Sequence, residues 1–526
     1  MRNFKFLVNV CSVGALSLFL FTACQKDTNT YNYSDVENIK ADGFESSYSA
    51  ISGMDTLEIK LDVGSNIEQS EFDYVWAVYE TNAQGYIPTF DTISREKDLF
   101  FPVDLPAKGY VLVSVVKNKK TGLSKYQSAT LTVNTAYTRG WYVLKDDGSS
   151  SDLDHFLTPE SIIPEDKNEN IFSRINGFKL EGKGTRLTYA SDFKTTVAST
   201  SPQNTKTLFM GTSKNVSAVF INTLEQIRDR KDIFFGGEAE GGKDMAVFIS
   251  SSSLNILNNN QVYGIYNMAA NSGVFGTSVM RDDYNSPYKL SPYFFTDYSM
   301  NPIFFDETSS SFVASGPAAS VFTRISDKEG TELPANNNNK TALYMAFQRS
   351  EYDPVNYKYN FMGVGLFQDK NDESLKIITR LLPEGYNMFI ECDTVEVSDK
   401  IANSSLHSAL VSTIRIGAEN LLYFVHDGKD VYSRNLSNGT ERLQFSVPGG
   451  EKVTFIRHRS YTEGGYAFDF VMIGTEVGGR YKIRMFEKSN GNLLSEPKFI
   501  LEGEGSARDV MYVSPSVGNN TYPTGY

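Results

Sequence analysis

Short apolar runs, grouped in pairs, recur along most of this chain, and no other feature restricts its fold as much. Residues 207–211 are followed by 218–220, 245–249 by 262–266, 293–296 by 303–305, 343–347 by 361–367, 421–425 by 431–433, and 468–473 by 481–486. The runs are rich in Phe, Tyr, Val and Ile and are bounded by Gly, Asn or Asp, the pattern of strands ended by turns. Most intervals between first members are roughly 40 to 50 residues, the length of one four-stranded blade. Residues 136–515 therefore read as a β-propeller of about six to eight blades, with a pair of β-sandwiches as the competing architecture. The interval from Leu343 to Leu421 is too long for one blade, and a further strand pair between Tyr386 and Val397 is expected to fill it.

Composition supports an all-β body. The chain holds 36 Phe, 30 Tyr and 40 Gly against 17 Pro. Apolar residues at three- and four-residue spacing are scarce; the best case, Phe220 to Arg230 with Ile221, Leu224 and Ile227, predicts one short helix. The net charge of −13 argues against nucleic acid and anionic lipid headgroups as partners.

Residues 41–135 form a separate stretch of short alternating strands. Thr56-Leu57-Glu58-Ile59 and Phe72-Asp73-Tyr74-Val75-Trp76 have period two, Tyr110 to Val116 is a longer apolar strand, and Ala129 to Val133 closes the segment. This predicts a small antiparallel sandwich with Trp76 in its core. The segments Tyr74-Val75-Trp76, Pro106-Ala107-Lys108-Gly109-Tyr110-Val111-Leu112-Val113 and Lys117-Asn118-Lys119-Lys120-Thr121-Gly122 resemble the polycystic-kidney-disease (PKD) repeat, an immunoglobulin-like sandwich. The departure is after Trp76, where Tyr79 to Gly85 replaces the usual Asp-Gly turn.

The N-terminus carries a basic start (Arg2, Lys5), an apolar stretch from Val8 to Phe21, and then Thr22-Ala23-Cys24. This is the pattern of a secretory signal over residues 1–23. It resembles the lipobox of bacterial lipoproteins, which implies acylation of Cys24 and attachment to a membrane surface. Gln25-Lys26-Asp27 is similar to the signal that directs Bacteroidetes lipoproteins to the outer cell surface. Residues 24–40 read as a flexible tether and 516–526 as a tail. The expected location is the outer membrane, lipid-anchored and facing outward. Cys11 lies in the signal, which leaves Cys392 without a disulfide partner; it is expected to be buried in a strand.

Together, lipobox, PKD-like segment and long β region resemble the PKD-like surface lipoproteins of Bacteroidetes. The resemblance implies a non-catalytic accessory protein that binds a nutrient, glycan or peptide, or the TonB-dependent transporter and SusD-type complex that imports it. A propeller glycoside hydrolase or lyase, and a structural or adhesive surface protein, are the alternatives.

No nucleophile elbow, zincin helix, Walker loop or Rossmann fingerprint is present, so no catalytic residue is assigned. The four histidines, His155, His407, His426 and His458, lack metal-ligand spacing. Asp146, Asp147, Asp152 and Asp154 concentrate four carboxylates in one loop and are the candidates for a calcium ion, the sole cofactor considered. Tyr284 and Tyr288, and Tyr352 and Tyr357, sit among Asn, Asp and Pro in predicted loops. They are the candidate ligand-binding residues, because exposed rings can stack on sugars or pack on peptide side chains. The Asn258–Asn260 and Asn336–Asn339 runs read as turn tips.

Overall fold

The computed structural model describes residues 36–80, 89–158, 161–197, 201–237, 245–250, 252–267, 272–283, 285–317, 319–384, 387–404, 411–413, 420–463 and 466–522. Among the described residues strands dominate, and helix is confined to a 3-10 turn, Ala136–Thr138, and two short α-helices, Ile171–Asn176 and Asp399–Asn403. Among the described residues no helix is long and apolar enough to cross a membrane.

The described residues divide into two compact units, the first drawn from 36–48, 56–102 and 109–132, the second from 49–55, 103–108 and 133–522. The first is an antiparallel sandwich-type unit. One sheet runs in the order Ser47–Ile51, Ser124–Asn134, Gly109–Asn118, Phe72–Glu80, Asp91–Ser94, accompanied by the pairs Thr56–Ile59 with Leu99–Pro102 and Ile39–Asp42 with Asp62–Ser65. Alternation along Thr56–Ile59 buries Leu57 and Ile59 and exposes Thr56 and Glu58. Trp76 is fully buried, and its indole N–H donates to the Glu96 carbonyl at 3.0 Å, so the polar end of the ring is satisfied inside the core.

Among the described residues of the second unit, seven sheets of three to five strands follow one another, each one blade, and a separate two-stranded sheet pairs Lys488–Ser489 with Asn492–Leu493. Blade one spans 140–168, blade two 184–229, blade three 246–266, blade four 290–324, blade five 340–395, blade six 411–446 and blade seven 452–504. The last strand, Ser506–Val513, returns to pair antiparallel with Gly140–Asp146 and becomes the innermost strand of blade one. Innermost strands touch in sequence: Ser506–Val513 meets Gly184–Thr195, which meets Ala246–Ser250; Leu290–Phe295 meets Lys340–Asp353, then Val411–Thr413, then Lys452–Glu463, which meets Ser506–Val513. Phe248 stacked on Phe294, 4.1 Å between centroids, joins blades three and four and completes the ring. The propeller is therefore closed, with seven blades and no free first or last sheet.

Apolar clusters fill the spaces between blades. Phe209 and Ile256 join blades two and three, Phe312 and Phe367 blades four and five, Leu366 and Phe424 blades five and six, and Tyr423 and Ile473 blades six and seven. The largest cluster surrounds Trp141, which packs on Phe468, Phe470, Phe499 and Tyr512 while its N–H donates to the Ile162 carbonyl at 2.7 Å. Each such fully buried side chain contributes about 1.5–3 kcal/mol relative to exposure.

Three sequence expectations need correction. Phe220 to Arg230 is not a helix: strand Val216–Phe220 ends in a turn and Gln226–Asp229 runs back as the outer strand. Leu224 takes a positive φ of 58°, its N–H bonds to the Phe220 carbonyl, and Ile221 and Leu224 are both fully buried. Burying two apolar side chains in a tight turn outweighs the weak helical spacing. The strand Phe389–Val395 is the fourth strand of blade five and not part of an additional blade; residues 385 and 386 lie outside the described residues. Finally, the C-terminal segment is tied down as far as Tyr522. Asn519 Oδ1 accepts from the Ser191 N–H at 2.8 Å, and Val517 and Tyr522 are buried.

Candidate functional site

Blade five is built on long inner strands. Lys340–Asp353 has 14 residues and Lys358–Asp369 has 12, whereas the third strand, Lys376–Glu384, has 9. Pairing between the second and third strands ends at Gly363 opposite Leu381. Beyond it the first two strands continue as a two-stranded ribbon to the tip at 354–357. The tip sequence Asp353-Pro354-Val355-Asn356-Tyr357 explains the turn. The Asp353 carboxylate accepts from the Val355 and Asn356 N–H groups at 2.9 and 3.1 Å and from the Asn356 side-chain amide at 2.8 Å, an Asx-type closure. These bonds, that to the Asn356 side chain foremost, hold the Asp353 carboxyl below its ordinary pKa.

This ribbon displays aromatic rings to solvent. Tyr352 faces Tyr359 across the strands, centroids 5.2 Å apart, and Tyr357 stands at the tip 82 % exposed. Tyr352 and Tyr357 were expected here; Tyr359 was not, although its period-two spacing from Tyr357 is visible in the sequence. A pocket of 570 Å³ lies beside the ribbon, walled by Tyr357, Tyr359, Phe361, Met300, Pro317 and Pro383, with Ser299, Asn301, Asn360 and Asn387 as polar neighbours. Its two charged lining residues, Lys358 and Glu384, lie 3.6 Å apart.

The other tyrosine pair does not join this site. Tyr284 lies outside the described residues. Tyr288, expected to be displayed, is partly buried: its hydroxyl donates to the Val279 carbonyl at 2.6 Å and its ring meets Phe322 edge-on. Burial pushes its pKa up. The apolar neighbourhood of blades three and four draws the ring inward. Cys24, and with it the signal, also lies outside the described residues, as do His407 and residues 81–88.

Three of the four candidate calcium ligands, Asp146, Asp147 and Asp152, border a larger cleft of 940 Å³ between blades one and seven, and Asp154 lies outside its lining. Asp146 forms a two-pronged ion pair with Arg508, at 2.6 and 3.1 Å, and accepts from the Gly148 and Gly184 N–H groups. Asp154 is fully buried; it pairs with Lys145 at 2.8 Å and accepts from the Tyr481 hydroxyl at 2.7 Å. Asp152 accepts from the Ser173 hydroxyl and N–H at 2.5 and 3.0 Å. Asp147 pairs with Lys179 at 2.9 Å, and that bond, then those from Ser150 and Ser149, holds its pKa far below the usual range. The side chains thus engage separate donors: Arg508 for Asp146, Lys179 for Asp147, Ser173 for Asp152, and Lys145 with Tyr481 for Asp154. Among the described residues no group of three or more His, Cys, Asp or Glu side chains is placed to hold a metal ion. The aspartates of the larger cleft are already matched to cations or a hydroxyl, whereas the hairpin pocket offers exposed rings.

The remaining polar candidates have structural partners. His155 is buried against Tyr142 at 4.6 Å, donates from Nε2 to the Arg139 carbonyl at 2.8 Å, and is pushed down by burial to a pKa of about 4. His458 pairs with Asp469 at 2.7 Å. Cys392 is buried as expected, and burial pushes its thiol pKa up.

Residues 24–184 match the PKD-like family, a stretch that runs through the sandwich unit, blade one and the start of blade two. No curated protein matches the chain. Solved structures that align with it include a quinonprotein alcohol dehydrogenase-like protein from Bacteroides thetaiotaomicron (12 % identity, TM-score 0.39, 91 % of this chain and 99 % of that one). A DUF4784 family protein from Bacteroides caccae aligns at 9 % identity and a TM-score of 0.31 over 77 % of this chain and 95 % of that one. BamB from Moraxella catarrhalis aligns at 12 % identity and a TM-score of 0.29 over 69 % and 88 %. Residues 24–184 are thus similar to the PKD-like family, and the second unit, whose blade one lies within that match, is a closed seven-bladed β-propeller.

Proposed function

We propose that this protein is a non-catalytic accessory protein of the outer membrane, anchored by lipid at Cys24 and facing the cell exterior, that captures a nutrient for a neighbouring TonB-dependent transporter and its SusD-type partner. The observation that carries the binding role is the ribbon of blade five, where Tyr352, Tyr357 and Tyr359 are each more than half exposed beside a 570 Å³ pocket. Exposing such rings forfeits hydrophobic stabilisation that burial would supply, and a rigid propeller strand pair holds them in place at little entropic cost on binding. The lipobox pattern supports the anchor, and the Lys-Asp pair after Cys24 supports the outward face. The aspartates of the larger cleft, Asp146, Asp147 and Asp152, already carry cationic or hydroxyl partners, which favours a binding role over hydrolysis.

The test has two arms. Fractionation of cells should place the wild-type chain in the membrane and Cys24→Ala in a soluble or unprocessed fraction; equal membrane retention of both would remove the anchor. The purified chain should be retained by one polysaccharide or peptide polymer without releasing products. Product release would replace the accessory role with a hydrolase or lyase.

A further inference from the structure

Building on that binding role, we infer that the pocket beside the blade-five ribbon is a subsite for a neutral oligosaccharide, with pyranose rings stacking on Tyr357 and Tyr359. Four features of the site point there. The first is the ring geometry. Tyr359 is braced by Tyr352 across the ribbon, and Tyr357 follows a turn closed by the Asp353 carboxylate, so two faces are held for contact with the C–H face of a sugar. Phe361, partly buried behind them 6.4 Å from Phe347, anchors the ribbon to the blade core. The second is charge: Lys358 and Glu384 are the charged residues of the lining, and they face one another at 3.6 Å, with Lys328 a further 3.2 Å partner of Glu384. No uncompensated charge asks for an acidic sugar or a peptide terminus, and the net charge of −13 disfavours polyanions.

The third feature is the backbone. One mode of peptide capture, strand addition, uses main-chain hydrogen bonds to a sheet edge, and two of the wall residues, Pro317 and Pro383, have no N–H to donate. Asn301, Asn360 and Ser299 instead bring side-chain amide and hydroxyl groups, which suit the hydroxyls of a sugar. The fourth is size: 570 Å³ falls within the range of roughly 300–1,000 Å³ typical of small-ligand pockets.

The experiment is isothermal titration of the full chain, held in a detergent without a sugar headgroup. The probes are neutral hexasaccharides (maltohexaose, cellohexaose, mannohexaose, xylohexaose), oligogalacturonate, and a tryptic casein digest. Each is run on the wild type, Tyr357→Ala and Tyr359→Ala, with Tm measured alongside. The expected result is saturable binding of a neutral hexasaccharide, weakened about tenfold (~1.4 kcal/mol) by either variant at unchanged Tm. Preference for the casein peptides or oligogalacturonate would overturn the neutral-glycan inference and leave nutrient capture standing. Neutral-glycan binding that both variants retain would move the subsite away from the ribbon and overturn the assignment. Absence of binding to every probe would overturn the capture role as well.

Discussion

Buried carboxylates in this protein stand beside cations or hydroxyl donors, and that pairing explains why an acidic loop serves as scaffold. Asp509 is buried on the closing strand. Burial alone would raise its pKa, but Arg459 at 3.0 Å and Arg457 at 3.3 Å hold it below its ordinary value, and the Leu187 N–H adds a bond at 2.9 Å. Asp509→Asn leaves two guanidinium groups without their counter-ion, and the expected loss is about 3 kcal/mol, readable in urea denaturation. His155 predicts a pH effect of definite sign. Its folded pKa of about 4 lies below the ordinary 6.5, so between these values the unfolded chain binds a proton that the folded chain refuses. Its contribution is intact above pH 6.5 and falls away as pH drops toward 4, by about 3 kcal/mol at most. The difference in stability between the wild type and His155→Gln, measured across that window, should change with this slope. Gly140 is as constrained as any residue: it has a φ of 137°, and a Cβ there would lie 2.3 Å from the Phe156 carbonyl oxygen. Gly140→Ala is expected to lower Tm clearly.

The blade-five hairpin shows how a blade element becomes a display surface. Its first and second strands outrun the third, so the ribbon depends on cross-strand pairs such as Tyr352 with Tyr359, each worth about 0.2–1 kcal/mol. Asp353→Ala removes the turn's side-chain acceptor. The expected outcome is faster amide exchange over 350–360 with Tm shifted by only about 2 °C, since the ribbon lies beyond the apolar clusters. A large Tm loss would mean the ribbon is part of the cooperative core. The Asn runs were readable at this scale. Asn259, Asn260, Asn337 and Asn339 all have positive φ, the backbone region Asn tolerates best after Gly. The turn at 221–225 was not, because its apolar spacing suits a helix face as well as a turn buried between blades.

Across the whole molecule, the ring is joined by a strand taken from the far end of the chain. Ser506–Val513 pairs with Gly140–Asp146, and the Asp146–Arg508 ion pair sits on that seam. Gly505, at φ 93°, turns the chain into the closing strand, where a Cβ would lie 2.9 Å from the Asp146 carbonyl. Removal of residues 506–526 leaves Trp141 and Tyr142 without their Tyr512 and Met511 neighbours and opens an inner edge. The truncated chain is expected to lose cooperative unfolding and to aggregate; a sharp thermal transition like that of the full chain would show that closure is dispensable.

Strand content, the sandwich-type unit with Trp76 at its centre, and a propeller of about the right blade number were all legible in the sequence, because alternation and turn residues are local properties of the chain. Blade boundaries were less so. The recognised pairs fall on different strands from blade to blade: second and third in blade two, first and second in blade five, second and third again in blade six. The interval from Leu343 to Leu421 looked too long mainly because blade five is itself long and the helix Asp399–Asn403 stands between it and blade six. Tyr352 and Tyr357 could be singled out by their turn neighbours, whereas Tyr288, set among similar residues, folds inward. What only the tertiary structure decided is which acids meet which bases, which tyrosines remain in solvent, and which strand closes the ring. Those outcomes depend on partners up to 362 residues apart, as with Asp146 and Arg508, and local pattern carries no information about contacts at that separation.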